Sequence, residues 1–224
     1  MDTIVSLLIS ACAVIVGIVV HESAHALAAY ALGDATARSR GRVSLNPLNH
    51  IDPFGTVLLP LLMILAGGPV FAYAKPVPVY LGNLKHPKRD ELIVSLAGPL
   101  SNILLAGVFA LLLGFVWPAL ARSGAAASVV YLVANAIMSC MLVNLSLAFF
   151  NLIPLPPLDG SSILVLFLKG EALQTYYRIQ QYAMPILIIV LYLLPTVLHI
   201  DIIGAYFDLT VYPLWRWMLG LALG

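Results

Sequence analysis

Charge is scarce in this chain of 224 residues. Asp, Glu, Lys and Arg together make up 9% of it, against 62% hydrophobic residues. A soluble domain carries roughly a quarter charged residues. Charge this sparse cannot coat a globule in water, so the composition excludes an ordinary soluble domain and points to a membrane. The net charge of +1 supplies no basic field for nucleic acid. Cysteine is nearly absent as well. Cys12 and Cys140 lie in apolar stretches without metal-ligand spacing, which excludes a disulfide framework; they read as small buried apolar residues. The first residues lack the basic flank and small-residue cleavage site of a secretory signal, so the first apolar stretch is expected to be retained. There is no internal repeat and no low-complexity tract.

What is present is a series of apolar runs. The first covers 3–20 without a charge and continues to Leu32 before Gly33. Others run from Phe54 to Tyr73, Leu92 to Leu120, Val129 to Ile153 and Ala183 to Ile200. Spanning needs about 20 apolar residues, which these runs supply or approach. The last stretch, 201–224, mixes Asp201, Asp208, Tyr212, Trp215, Arg216 and Trp217 with apolar residues and suits an interfacial helix. The expected fold is an all-α polytopic membrane protein of about four to six transmembrane helices. It forms one membrane-embedded domain over 1–224, with its motifs in about 15–165 and additional C-terminal membrane or interfacial helices over 182–224.

The basic residues test the orientation. Arg38, Arg40 and Arg42 lie in one loop; Lys75, Lys85, Lys88 and Arg89 in the next; Lys169 and Arg178 in a third. These nine of eleven share one face if 54–73 dips into the membrane and returns, and the positive-inside rule makes that face cytoplasmic. Pro60 and Gly67-Gly68 also argue against a straight span there. The expectation is a re-entrant segment at 54–73, four crossings and an external N-terminus. Arg38, Arg40 and Arg42 alternate with Ser39, Gly41 and Val43, a period of two that fits a short strand with one basic face. A short membrane-associated β-hairpin is expected there. The plain alternative is a solvated basic loop.

His21-Glu22-Ser23-Ala24-His25 is an HExxH motif. On a helix, positions i and i+4 share one face, so both imidazoles can reach one ion. Glu22 stands about 100° around the axis, where it can reach a water beside that ion without being a ligand. This is the arrangement of a zinc metalloprotease with Glu as general base. Three ionisable groups inside an apolar helix are costly, and a metal would meet that cost. A chance match and a structural pairing with another helix are the bland readings.

Catalytic zinc usually takes three protein ligands and keeps one open position. Asp159 is the best third candidate. It lies in NLIPLPPLDG, residues 151–160, directly after an apolar run. Pro154, Pro156 and Pro157 break any helix there, and broken backbone at membrane depth is tolerated where protein or a watery cavity surrounds it. The alternative is an ordinary solvated Asp in an interfacial loop.

Taken together, these residues resemble the site-2 protease family of intramembrane zinc metalloproteases. HESAH carries the HExxH. NLIPLPPLDG is similar to the family's Asn-x-x-Pro-x-Pro-x-x-Asp-Gly pattern, and Gly98-Pro99-Leu100-Ser101-Asn102 to its Gly-x-x-x-Asn segment. Residues 41–55 and Ala74–Val79 resemble the compact prokaryotic subgroup without PDZ or CBS domains. The resemblance implies one zinc at His21, His25 and Asp159, with Glu22 as base and Asn151 steadying the oxyanion. It also implies an active site opening toward the cytoplasm.

The expected function is an intramembrane zinc endopeptidase of a prokaryotic cell membrane, cleaving transmembrane or membrane-proximal segments of membrane proteins. Its partners are the lipid bilayer and such a substrate, paired as an added β-strand near Arg38–Leu45. The alternative is a non-proteolytic metal-binding membrane protein, a transporter or adaptor; a structural protein without metal is a third. His50, His86 and His199 read as loop or interfacial residues. Asn102 and Asn144 read as glue between apolar helices, or as residues facing the active-site cavity.

Overall fold

In an apolar solvent a backbone must satisfy its own hydrogen bonds, which favours helices wherever a long apolar run occurs. The computed structural model describes residues 3–58, 61, 62, 65 and 75–224. Its helices are α1 (Thr3–Ala31), the single turn α2 (Thr36–Ser39), α3 (Pro87–Arg122), α4 (Ala127–Asn151), α5 (Ser161–Phe167) and α6 (Gly170–Gln180). They continue as α7 (Ala183–Ile188), α8 (Leu194–Val197), α9 (Ile202–Leu209) and α10 (Val211–Leu223). α1, α3 and α4 are long and apolar enough to cross a membrane. A fourth crossing results if α6 and the stretch from α7 through α8, bent by 72°, form one broken span. The fold is thus all-helical among the described residues, with three to four spanning helices against the four to six expected.

The three long helices pack on one another, and α10 closes against α3 and α4. Val211 is fully buried with Ala106, Met141 and Leu145; Leu113, Ala134 and Ile137 form a second buried cluster. α10 has 13 residues. At 1.5 Å per residue it is roughly 20 Å long, too short to span alone. The last segment is therefore a buttress for the spanning helices. The outer faces stay apolar: Leu7, Leu104, Leu111 and Phe115 are all more than half exposed, as contact with lipid requires. Cys12 belongs to this outer surface and Cys140 is half-buried, so neither is the buried residue expected.

The basic loop differs from expectation. No strand occurs among the described residues, and the expected hairpin is replaced by the helical turn α2. Asp34 is the reason. Its Oδ1 accepts from Thr36 N–H and from the Thr36 hydroxyl, which starts the turn. Its carboxylate also accepts from Tyr80 N–H at 2.7 Å and the Asn83 amide at 2.8 Å, tying the loop to 80–83. Burial opposes ionisation of Asp34, but these bonds outweigh it and hold the carboxyl down at about 2. Arg38 and Arg42 then diverge. Arg38 lies over the Tyr30 ring, whereas Arg42 is buried and donates to the carbonyls of Asn49 and Lys75. A period of two fits a strand, but local bonds to the Asp34 carboxylate win. The strand near Arg38–Leu45 to which substrate is expected to pair is thus absent among the described residues.

The re-entrant course expected for 54–73 has no support. The segment opens as a π-helical turn, Pro53–Leu58, and most of the stretch beyond Leu58 lies outside the described residues.

Candidate metal centre

The HExxH motif lies in the second half of α1, and the helical repeat brings its two histidines to one face. Their ring centroids are 4.5 Å apart with the planes nearly perpendicular. Both residues are buried. Asp159 arrives from the turn after α4. That turn is closed by Gly160 N–H donating to Asn151 O at 2.6 Å. A Cβ on Gly160 would run into the carbonyl of Leu152 and lie 2.7 Å from Ile153 O, so the turn closes only with glycine there. Ser162 donates its hydroxyl to Asp159 O and steadies the backbone beside the carboxylate.

The three side chains meet. Asp159 Oδ2 lies 3.1 Å from His21 Nε2 and 3.4 Å from His25 Nε2. Two atoms each about 2.0–2.1 Å from a tetrahedral zinc are themselves roughly 3.3 Å apart, so the spacing suits that ion. Among the described residues this is the one group of three or more His, Cys, Asp or Glu that could hold a metal.

Two further observations test the fit. Asp159 Oδ2 is buried without a hydrogen-bond partner. The ring Nδ1 of His25 donates to Val94 O at 2.7 Å, and that of His21 meets Asn102 Oδ1 at 2.6 Å. Both imidazoles thus spend Nδ1 elsewhere and turn Nε2 to the carboxylate, an arrangement that a shared cation satisfies. Gly98 of α3 supplies the space. A Cβ there would lie 2.6 Å from both Cε1 and Nε2 of His21, and closer still to His25 Nε2. A glycine against two ligand nitrogens leaves a cradle for an ion. The donor set of two imidazoles and one carboxylate fits zinc.

Glu22 is half-buried beside His21, as the helical repeat requires. Asn151 directs one amide proton to Leu147 O at 3.0 Å, within its own helix. His50 lies in a loop, as expected, but it is no plain surface residue. It is buried, with Nε2 at 2.7 Å from Ser44 O and 3.3 Å from the hydroxyl of Ser23, inside the HExxH motif. The Ser23 hydroxyl donates to the same carbonyl. The 44–50 loop is thereby fastened to α1 at the motif, and Lys75 N–H in turn donates to His50 O. Nothing in the spacing of His50 announces this, because the contact exists only once the loop folds back.

Known proteins match this chain. The family model for Peptidase family M50 matches residues 120–194, a range holding Asn151–Gly160. The chain is 41% identical over 154 residues to "Putative zinc metalloprotease YwhC" of Bacillus subtilis, covering 67% of this chain and 64% of that protein. It is 31% identical over 171 residues to "Putative zinc metalloprotease Rip2" of Mycolicibacterium smegmatis, covering 76% of this chain and 61% of that one. The alignments thus span less than two thirds of these relatives' own length. No solved structure matches the chain. A zinc-type ligand cluster, an HExxH helix and these matches agree: the chain carries a domain of peptidase family M50, the site-2 protease family.

Proposed function

We propose that the protein is an intramembrane zinc endopeptidase that cleaves transmembrane or membrane-proximal segments of other membrane proteins. The observation that carries this reading is the convergence of Asp159 Oδ2 on His21 Nε2 and His25 Nε2, which with Glu22 lie in a helix long and apolar enough to cross a bilayer. Zinc held by these three atoms would polarise the scissile carbonyl and acidify the attacking water. The chain's own residues do the rest. Glu22 accepts the water's proton and passes it to the departing amine. Asn151, with a second amide proton beyond the one given to Leu147 O, is a donor for the developing oxyanion. A helical substrate must unwind locally first, since its carbonyls are hydrogen-bonded within the helix. The basic stretches holding Arg38, Arg40, Arg42 and Lys75 are tied together by Asp34 to Tyr80 N–H and by Arg42 to Lys75 O, and this shared basic face supports a site that opens toward the cytoplasm of a prokaryotic cell.

The test is Glu22→Gln, assayed by cleavage of a membrane-embedded reporter in liposomes together with metal content. The amide keeps the size of the carboxylate but cannot take the proton. Cleavage should fall by about 10²–10⁴-fold or more while zinc remains bound. Full activity would refute the base assignment. A metal-transport activity that survives the substitution would favour a transporter.

A further inference from the structure

Behind His21 lies a chain of hydrogen bonds that ends on two backbone carbonyls. Asn144 of α4 donates its amide to Cys140 O at 2.8 Å. A carbonyl can only accept, so the other side-chain atom of Asn144 is the oxygen. That oxygen accepts from the amide of Asn102 at 2.8 Å, and the same amide donates to Gly17 O of α1 at 3.0 Å. Both amide protons of Asn102 therefore have acceptors, which leaves its Oδ1 to face His21 Nδ1 at 2.6 Å. An oxygen there demands a proton on Nδ1. The polarity runs from Cys140 O and Gly17 O through two amides to the tautomer of one imidazole. Asn102 and Asn144 are both fully buried, so no water competes for these bonds. Gly17 permits the approach of the three helices: a Cβ on it would lie 2.6 Å from Leu147 Cδ1 and 3.1 Å from Asn144 Oδ1.

We infer that Asn102, held by Asn144 and Gly17 O, is a positioning residue that fixes His21 with its proton on Nδ1 and Nε2 free to bind metal. The inference rests on the zinc centre proposed above and adds its support. A ligating histidine whose other nitrogen is held is a better ligand, and loss of such a partner typically weakens metal binding 10–100-fold. His25 obtains the same service from a backbone carbonyl, Val94 O, which no side-chain substitution removes. His21 depends on a side chain, so its tautomer is open to mutation.

Two variants separate positioning from mere helix packing. Asn102→Leu removes the acceptor for His21 and both donated bonds. Asn102→Asp keeps an oxygen for His21 Nδ1 but loses at least one donated bond. Zinc affinity is read by competition with a chelator. Imidazole nitrogen NMR on isotope-labelled histidine, with cadmium as the probe metal, identifies the ligating nitrogen. The wild type should show Nε2 ligation at both histidines. Asn102→Leu should bind zinc 10–100-fold more weakly, and Asn102→Asp should recover most of that loss. If Asn102→Asp falls as far as Asn102→Leu, the network is packing only and the inference is overturned. If Asn102→Leu fails to fold, the wild-type spectrum still decides, since Nδ1 ligation at His21 would overturn the assignment. A wild-type chain that binds neither metal would sink the zinc centre instead. The imidazole spectrum of the metal-free protein would then decide the tautomer, and a proton on His21 Nε2 rather than Nδ1 would overturn it.

Discussion

Gly98→Ala adds one methyl at the point where the ligands converge. The new carbon would stand 2.6 Å from His21 Nε2, and ordinary contact begins at 3.4 Å. The ring must retreat by about 0.8 Å, or the helices must part by as much. Metal–ligand distances tolerate only about 0.2 Å, so the shift is roughly four times what coordination allows. Zinc affinity should drop by about 100-fold or more, at the upper end of what lost ligand support costs. Folding should survive. Alanine is a better helix former than glycine by roughly 1 kcal/mol, which offsets part of an overpacking cost of about 1–3 kcal/mol. Gly107 provides the control on the same helix, because a Cβ there meets nothing within 4 Å. Gly107→Ala should leave zinc untouched. The assay is chelator competition on both variants, with helical content by circular dichroism. Wild-type affinity in Gly98→Ala would show that the cradle is not where the metal binds.

Three other outcomes are expected. Asp159→Ala removes one of three ligands, so the purified variant should retain little zinc by elemental analysis; wild-type retention would place the third ligand elsewhere. Single cysteines at Ser44 and Asn83, in a chain lacking Cys12 and Cys140, should be labelled from the same side of the membrane, and labelling from opposite sides would refute the proposed topology. Asp34, held at about 2, contributes stability that is present above its unfolded value near 3.9 and is lost as pH falls toward 2. Thermal unfolding of wild type against Asp34→Asn should show an advantage at neutral pH that shrinks across that acid window; an advantage independent of pH would refute the ionic role.

How much of the fold and the site is legible in the sequence depends on distance along the chain. His21 and His25 are one helical turn apart, so their shared face comes from the repeat alone. Asp159 can be singled out because prolines and a glycine mark a forced break after an apolar run. Arg38, Arg40 and Arg42 mislead, since their alternation outweighs any sign that Asp34 starts a helical turn. The orienting role of Asn102 is not legible at all. Its partners lie 81 and 42 residues away, and polar residues in apolar helices state that a partner exists without naming it. The contact of Gly98 with the two histidines and that of His50 with Ser23 are hidden for the same reason: the neighbours come from other segments.

The two metal-binding elements lie far apart in the chain: α1 near its beginning and the Asp159 turn beyond α4. An ion shared between them is a clip that closes a very long loop, and such clips stabilise most where the loop is long. Occupancy and stability then become one quantity. At a free zinc concentration 100 times the dissociation constant, the folded state gains about 2.7 kcal/mol over an unfolded chain that binds none. Stripping the metal would do more than silence chemistry. It would leave the Asp159 turn tied to α1 only if His21 or His25 took up a proton to pair with the Asp159 carboxylate, a weaker clip than an ion held by all three side chains.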